Sequence, residues 1–156
     1  MPLGDIECMR LALDQARRAR DEGEVPVGCA VARRGELVAL AHNTREQSKD
    51  PTAHAEILAI RASAKTLGDW RLDGCVLYVT LEPCPMCAAA VVLARIERLV
   101  FGAYDYDNGA VGSNGNVLAR PMFGWRTEVT SGLMRDESED ILREFFAGAR
   151  AKRRGG

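Results

Sequence analysis

Apolar side chains recur along the chain with two different periods, and the changes of period separate helices from strands. The first helix is predicted to begin with Asp5 as its N-cap and to end near Gly23. Its apolar residues repeat every three to four positions, as expected for one face of a helix. These residues are Ile6, Met9, Leu13 and Ala16.

Two short apolar runs rich in β-formers follow, at residues 27–32 and 37–42. Residues 33–36 between them have the composition of a tight turn, so the two runs are predicted to form a hairpin. After a polar loop, Thr52 is the predicted N-cap of a second helix that ends at Leu67-Gly68.

The second half of the chain alternates strands and helices. Strands are predicted at residues 75–81, 98–103 and 128–130, and helices at residues 84–95 and 134–150. Strands separated by helices favour an α/β fold whose sheet is at least partly parallel and covered on both faces. Ligand sites in such sheets form where strand ends meet helix starts.

Composition and charge narrow the classes of function. The chain has 156 residues, of which 47% are hydrophobic, so one core can support it without a metal or disulfides. We expect a single domain over residues 1–150 and a basic, flexible tail over residues 151–156. A formal net charge of -1 removes the global electrostatic argument for nucleic-acid binding but leaves local basic patches.

The first residues and the apolar runs of the sequence indicate where in the cell the protein is expected. The first residues show no targeting signal, and the longest apolar run, residues 88–94, is too short to span a membrane. We therefore expect a cytoplasmic protein that does not associate with membranes.

Five cysteines, an odd number, favour reduced thiols or metal ligands over disulfides. Cys29 and Cys75 lie in apolar strand patterns and are expected to be buried, unreactive thiols.

Two short motifs stand where predicted strands give way to helices. One is His54-Ala55-Glu56, and the other is Pro83-Cys84-Pro85-Met86-Cys87. Cysteines three apart in a first helical turn share one face, and a helix N-terminus favours the thiolate form. Two thiolates and one imidazole would give zinc three protein ligands and leave its fourth position for water, which is typical of a catalytic site.

Glu56 is the natural partner for that water. Zinc lowers the pKa of bound water from about 15.7 to about 7, and Glu56 stands close enough to shuttle its proton. This chemistry suits hydrolytic deamination of an aminated heterocycle, and the order H-x-E…P-C-x-x-C is the signature of zinc nucleobase deaminases. A redox CxxC motif or a structural zinc knuckle in a binding module is the alternative, but neither needs Glu56.

Longer stretches around the two motifs resemble the bacterial tRNA adenosine deaminases, and the likeness spans nearly the whole chain. The matching stretches are residues 23–28, 42–43, 50–57, 70–72, 81–87, 93–96, 100–103 and 145–146. The resemblance implies a cytidine-deaminase-like, three-layer α/β/α fold with a mixed five-stranded sheet and helices on both faces. It also implies a homodimer that converts adenosine to inosine at the wobble position of a tRNA anticodon.

The resemblance assigns roles residue by residue. One Zn²⁺ per subunit would be held by three ligands, which are His54, Cys84 and Cys87. Glu56 would shuttle protons. The residues implied to contact the substrate are Asn43, Val27, Gly28, Asp105 and Pro83. Asn43 would hydrogen-bond the flipped nucleoside, and the missing side chain of Gly28 would let the backbone approach a planar base.

Two departures from the family pattern lie where RNA is expected. Asp107 stands where the family usually has a lysine, and an acid there weakens attraction for phosphate. Gly124-Trp125 replaces an Asn-His pair before the last strand, which removes hydrogen-bonding groups. The substrate is therefore either tRNA or a small aminated heterocycle, such as a free base or nucleoside.

Further residues could contact RNA if tRNA is the substrate. The candidates are Arg45, Tyr104, Trp125, Arg126, Phe146 and Arg150, with Tyr106 as another aromatic able to stack on a base. Each also has a plainer interpretation. Phe145 and Phe146 have the helical spacing of core residues, Asp105 fits a turn, and the terminal basic residues fit a solvated tail.

Overall fold

A computed structural model describes residues 2–155 and contains five helices and seven strands in that range. The helices are α1 (Asp5–Asp21), α2 (Arg45–Ser48), α3 (Ala55–Leu67), α4 (Pro85–Leu93) and α5 (Arg135–Gly155). The strands are β1 (Gly28–Arg33), β2 (Glu36–His42), β3 (Cys75–Leu81), β4 (Arg98–Ala103), β5 (Val111–Gly112), β6 (Gly115–Asn116) and β7 (Glu128–Ser131).

Five of the strands form one mixed sheet in the order β2-β1-β3-β4-β7. Strand β1 runs antiparallel to β2 and β3, whereas β3, β4 and β7 run parallel to one another. The five strands lie within one residue of their predicted bounds. The predicted α/β class and mixed five-stranded sheet are therefore confirmed. The short α2 and the small β5-β6 ribbon lie in stretches that the sequence pattern assigned to loops.

Alternate residues of the central strands face opposite sides of the sheet and build two cores. On one side, Cys29, Leu77 and Phe101 belong to a core that includes residues of α3 and α4. On the other side, Ala30 and Val100 pack with α1 and α5. Helices therefore cover both faces, which gives the three layers that the resemblance implies.

The cysteines follow the prediction made for them. All five lie within the described range, and none of them is joined in a disulfide there. Cys29 and Cys75 are buried in the core, and burial raises the pKa of both thiols. Both are therefore protonated and unreactive under ordinary conditions.

At Gly28 the backbone of β1 lies close against α1. A Cβ atom at this position would lie 1.9 Å from the backbone oxygen of Ala12 and 2.4 Å from the backbone nitrogen of Ala16. The space left by the missing side chain is thus occupied by α1. The expectation that this space admits a planar base is wrong, because it opens toward the helix.

The prediction that Asp5 is the N-cap of α1 is wrong. Gly4 takes that position, and Asp5 lies in the first helical turn. The carboxylate of Asp5 instead accepts a hydrogen bond from the hydroxyl of Tyr78 at 2.6 Å and from Arg98 at 2.7 and 3.0 Å. Hydrogen bonding by Arg98 lowers the pKa of Asp5. The residue therefore ties the start of α1 to β3 and β4.

Thr52 is not the N-cap of α3, because Asp50 holds it in a turn. The Asp50 carboxylate accepts hydrogen bonds from the Thr52 backbone N–H at 2.8 Å and from its hydroxyl at 2.7 Å. His54 becomes the N-cap of α3 in its place. The helix therefore begins directly after the first residue of the His-Ala-Glu motif.

The last helix continues past its predicted end at Arg150 and includes the described part of the expected tail, residues 151–155. Its last turn carries Lys152, Arg153 and Arg154. Cations there complement the negative end of the helix dipole and favour continuation of the helix. Gly156 lies outside the described residues. Within residues 2–155, none of the helices is both long and apolar enough to cross a membrane.

Replacing Gly28 with alanine should destabilise the fold, because the new Cβ would overlap the backbone of α1. Overpacking of this kind costs about 1–3 kcal/mol of unfolding free energy. Gly148→Ala is the matched control, since no described atom lies within 4 Å of a Cβ built in that helical position. It should stabilise the protein by about 0.5–1 kcal/mol. Urea unfolding at saturating zinc measures the unfolding free energy of both variants. Equal changes in the two variants would contradict the close packing of Gly28 against α1.

Candidate active site

Two helix starts bring the metal-ligand candidates together. His54 is the N-cap of α3, Cys84 is the N-cap of α4, and Cys87 lies in the first turn of α4. The Nδ1 atom of His54 lies 3.7 Å from Sγ of Cys84 and 3.5 Å from Sγ of Cys87. All three ligand atoms lie within 4.8 Å of one another.

These separations fit a zinc ion. Tetrahedral zinc, with bonds of about 2.0 Å to nitrogen and 2.3 Å to sulfur, places those ligand atoms about 3.6 Å apart. The donor set of two sulfurs and one imidazole nitrogen is also one that zinc prefers. The structure therefore brings together three residues able to hold zinc, with room in a tetrahedral set for one ligand from outside.

The two cysteines carry different charges before a metal binds. Hydrogen bonding by the Cys87 side chain is the largest influence on Cys84 and, with help from His54, lowers its pKa to about 4. The same Cys84–Cys87 contact, together with burial, raises the pKa of Cys87. Cys84 is thus a thiolate at neutral pH, and a metal that binds both sulfurs displaces the proton of Cys87.

Glu56 lies in the first turn of α3, beside this cluster, and is only 4% exposed. Burial is the main reason that its pKa rises to about 7, and the positive charge of His54 opposes that rise in part. A carboxyl group with a pKa near the working pH can both accept and return a proton. Its position and protonation therefore suit the proton shuttle that the sequence predicts.

The cluster opens into a cleft of about 720 Å³. The predicted residues that line it are Val27, Asn43, Arg45, His54, Glu56, Cys84, Tyr104, Asp105 and Phe146. Cys87 is fully buried behind them. One wall of the cleft includes the start of the segment 104–113, which we call the rim loop.

Asn43 is held so that part of its amide stays available to a ligand. Its Nδ2 donates to the backbone oxygen of Val25 at 3.2 Å, and its Oδ1 accepts from the backbone N–H of Arg45 at 3.0 Å. Within residues 2–155 these are the partners of its side chain, so one N–H and one lone pair are left. Asn43 can therefore both donate to a ligand in the cleft and accept from it.

Pro83, in contrast, supports the wall of the cleft from behind. It is buried, and its carbonyl accepts a hydrogen bond from the backbone N–H of Ala110 at 2.9 Å. Pro85, two residues later, lines the cleft instead. The expected contact between Pro83 and substrate is thus replaced by a structural contact with the rim loop.

Asp105 combines the two interpretations that the sequence allows. It lines the cleft, and its carboxylate also accepts backbone hydrogen bonds from Asp107 at 3.2 Å and Asn108 at 3.0 Å. Such bonds are typical of an Asx turn. Asp105 therefore shapes the rim loop whether or not it touches a ligand.

The candidate RNA contacts divide into two groups. Arg45, Tyr104 and Phe146 line the cleft, whereas Trp125, Arg126 and Arg150 lie outside it. Trp125 packs partly against the core, and its Nε1 donates to the backbone oxygen of Ile96 at 2.9 Å. Phe146 is 44% exposed, so the expectation that it packs in the core is wrong. Phe146 lines the cleft instead.

Glu82 is a structural residue of the site that sequence reasoning missed. It is 2% exposed, and its carboxylate accepts the backbone N–H groups of Asp105 at 3.1 Å and of Val111 and Ser113 at 3.0 Å. The Ser113 hydroxyl also donates to it. Burial acts to raise the pKa of Glu82, but these hydrogen bonds outweigh it and lower the pKa. The sequence signal that could have identified Glu82 is an acidic residue directly after an apolar strand and next to Pro83.

Glu24 holds the opposite wall in the same way. It is 1% exposed, and its two carboxylate oxygens accept the backbone N–H groups of Glu46 at 2.9 Å and Gln47 at 2.8 Å. These N–H groups belong to the first turn of α2, which lacks a capping bond from its own N-cap residue. Glu24 thereby fixes the short helix that carries Arg45 to the cleft.

Replacing Glu82 with glutamine should loosen the rim loop, because one carboxylate oxygen that accepts N–H groups becomes an amide that donates. Hydrogen bonds to a charged group are worth about 1.5–3 kcal/mol, so a loss of about 2 kcal/mol in unfolding free energy is expected. Hydrogen exchange should accelerate in residues 104–113. Glu24→Gln is the matched variant and should accelerate exchange in residues 45–48 instead. Unchanged exchange in the rim loop of Glu82→Gln would exclude this role.

Comparison with known proteins agrees with the geometry. A sequence model of the cytidine and deoxycytidylate deaminase zinc-binding region matches residues 4–103. The tRNA-specific adenosine deaminase of Bacillus subtilis (strain 168) is 47% identical over 146 residues, which cover 94% of this chain and 91% of the relative. That of Agrobacterium fabrum is 47% identical over 138 residues, covering 88% and 91%.

Solved structures give the same result. A structure from a study of A-to-I editing by tRNA:A34 deaminases superposes with a TM-score of 0.83 at 46% identity, covering 86% of this chain and 98% of the other. The guanine deaminase of Nitrosomonas europaea superposes with a TM-score of 0.78 at 29% identity, covering 93% and 86%. The chain therefore belongs to the cytidine and deoxycytidylate deaminase zinc-binding family and, within it, to the tRNA-specific adenosine deaminases.

Proposed function

We propose that this protein is a zinc-dependent hydrolytic deaminase that converts adenosine to inosine at the wobble position of tRNA. The observation that carries the proposal is the placement of buried Glu56 beside three converging zinc-ligand candidates in an accessible cleft. Identity of 47% to a tRNA-specific adenosine deaminase over 94% of the chain supports the choice of substrate.

The residues of the site divide the chemistry between them. His54, Cys84 and Cys87 would hold zinc, which supplies the Lewis acidity that makes water acidic near neutral pH. Glu56 accepts a proton from the attacking water and returns it to the purine, so that ammonia leaves from C6. One water is consumed and one ammonia is released for each adenosine. Burial of Glu56 is what tunes its carboxyl group to this exchange.

Other residues would position the base. Val25 and Val27 give the cleft an apolar wall against which a planar ring can pack, and the free part of the Asn43 amide can hydrogen-bond the nucleoside. Such a base must leave its stack to reach the cleft. Unstacked nucleotides of an RNA loop pay little free energy for this movement, which favours an anticodon loop over a duplex.

Local positive charge offsets the net charge of -1. Arg45 lines the cleft, and the end of α5 carries Arg150 together with the three basic residues of its last turn. We assign phosphate contacts to these groups and to exposed Arg126, because each is a cation that can attract an RNA phosphate. Gly28 and Pro83 support the fold rather than the substrate.

A free base or nucleoside is the second candidate substrate. It is favoured by Asp107, an acid that lines the cleft where phosphate contacts would be made. The superposition on a guanine deaminase, with a TM-score of 0.78, shows that this fold also accommodates a small-molecule deaminase. The two candidates differ in substrate size and share the same chemistry.

A homodimer accounts for the character of α4. This helix has neither acidic nor basic residues at its ends, and its sequence PMCAAAVVL is apolar on every side. One side packs in the core, while Leu93 is 50% exposed. A helix that is apolar all round is normally covered on all sides, so we propose that a second copy of the chain covers it.

We further propose that the enzyme acts in the cytoplasm, where its tRNA substrate is found.

The substrate is tested with an anticodon stem-loop that carries a wobble adenosine, compared with free adenine, guanine, cytosine and their nucleosides. Inosine should form in the RNA at low enzyme concentration, and the small molecules should react far more slowly. Mass spectrometry of the digested RNA and an ammonia assay measure the products. Ammonia released from small molecules alone would contradict the tRNA assignment.

The control for the chemistry is Glu56→Gln, which keeps the size of the side chain but not its basicity. We expect this variant to retain zinc, because Glu56 is not a ligand, and to lose at least about 100-fold in rate, the usual contribution of a general acid-base group. Glu36→Gln, which changes an exposed carboxylate at the start of β2, should behave like the wild type. Full activity of Glu56→Gln would exclude the proton-shuttle role.

A further inference from the structure

Three aromatic rings form a column from the core of the sheet to the edge of the cleft. Phe101 is fully buried in β4, and the ring of Tyr104 meets it edge-on with centroids 5.3 Å apart. Tyr106 stacks on Tyr104 with centroids 6.4 Å apart and an interplanar angle of 21°. Tyr106 lines the cleft and is 68% exposed. The column thus ends in a ring with a face open to solvent.

The outer two rings are fixed by side chains from α5 and β7. Arg135 donates from Nη2 to the hydroxyl of Tyr106 at 3.2 Å, and its guanidinium lies 5.2 Å from the Tyr104 ring centroid. Glu139 accepts from Nε of Arg135 at 2.8 Å, and the hydroxyl of Tyr104 donates to Ser131 at 3.0 Å. Each ring is therefore held at its hydroxyl end as well as by stacking.

The backbone beneath Tyr106 is fixed too. The preceding N–H, that of Asp105, donates to buried Glu82, and the carbonyl of Tyr106 accepts from the side chain of Asn114 at 2.9 Å. An aromatic side chain that is ordered without being buried has already lost its rotamer entropy. A ligand that stacks on it loses less free energy to ordering than one that must order a mobile side chain.

Charge on the rim loop restricts the kind of contact it can make. Asp105 and Asp107 lie on either side of Tyr106 and line the same cleft, so phosphate is disfavoured there. Stacking of a base on an aromatic ring needs no positive surface and tolerates any base, because every base has a π-face. A nucleobase is therefore the part of an RNA that this loop can hold.

We propose that the open face of Tyr106 is a stacking platform for a nucleobase adjacent to the reacting adenosine. This inference rests on the RNA substrate proposed above and identifies a specificity-determining residue for it. Tyr106 favours an oligonucleotide over a free nucleoside, since only the oligonucleotide brings a second base to the cleft. Arg135 acts through Tyr106 as a positioning residue and does not itself contact the base.

Abasic substrates test the platform directly. Three stem-loops are compared: the intact RNA and two that lack the base either 5′ or 3′ of the wobble adenosine. Tyr106→Ala should raise KM for the intact RNA about ten-fold, because stacking on one base is lost, and leave kcat unchanged. One of the abasic RNAs should raise the KM of the wild type by a similar factor, and Tyr106→Ala should raise it no further on that RNA.

Two further variants separate stacking from other effects. Tyr106→Phe keeps the ring and should restore KM to within about three-fold of the wild type, since the stacking face rather than the hydroxyl meets the base. Phe123→Ala removes another exposed aromatic, 63% exposed and outside the cleft, and should leave KM unchanged. Zinc content is measured for every variant to confirm that the metal site is intact.

The outcomes distinguish this inference from the proposed function. A wild type that is inactive on intact RNA would overturn the proposed function and the platform with it. A wild type that deaminates RNA, combined with a Tyr106→Ala effect that is absent or equally large on all three RNAs, would overturn the platform alone. Loss of kcat with unchanged KM in Tyr106→Ala would likewise exclude a stacking role.

Discussion

The site depends on the close approach of two helix N-termini on one face of the sheet. His54 and Cys84 are the N-cap residues of α3 and α4, so their side chains meet only if the two helices start side by side. Small buried residues, among them Ala59 and Ala88, belong to the core that these helices share. The positive ends of both helix dipoles point to the same place and stabilise the thiolate that forms there. Metal binding, the tuned carboxyl group of Glu56 and the position of the cleft all follow from this geometry.

The rim loop and α2, which form two walls of the cleft, are held mainly by hydrogen bonds, because they have few apolar side chains that pack in the core. Their backbone N–H groups need acceptors when the chain is packed, and two buried carboxylates supply these. Glu82 serves the rim loop and Glu24 serves α2. Charged acceptors make stronger hydrogen bonds than neutral ones, so a rigid wall is obtained without a core of its own. Most of the side chains that face a ligand do not hold these walls in place. One of them, Tyr106, can therefore serve as the proposed stacking platform.

Features that depend on neighbours along the chain could be predicted from the sequence. The five strands of the main sheet and most helices follow from apolar periodicity, and the motifs His54-Ala55-Glu56 and Pro83–Cys87 are local signals of metal chemistry. Features that depend on distant partners could not be predicted in this way. Gly28 makes room for α1, and Glu24 and Glu82 accept bonds from residues more than twenty positions away. The start of α1 was mispredicted for the same reason, since the Asp5 carboxylate bonds Tyr78 of β3 and Arg98 of β4. The start of α3 was mispredicted for a local reason, because Asp50 accepts the hydrogen bonds of Thr52.

The central claim is that His54, Cys84 and Cys87 hold one zinc ion and leave one position for a ligand from outside. Zinc K-edge X-ray absorption of the purified protein, combined with metal analysis, tests it most directly. The account predicts one zinc per chain with two sulfur ligands at about 2.3 Å and two nitrogen or oxygen ligands at about 2.0 Å. A shell of four protein ligands with three or four sulfurs, or a protein that binds no zinc, would contradict it.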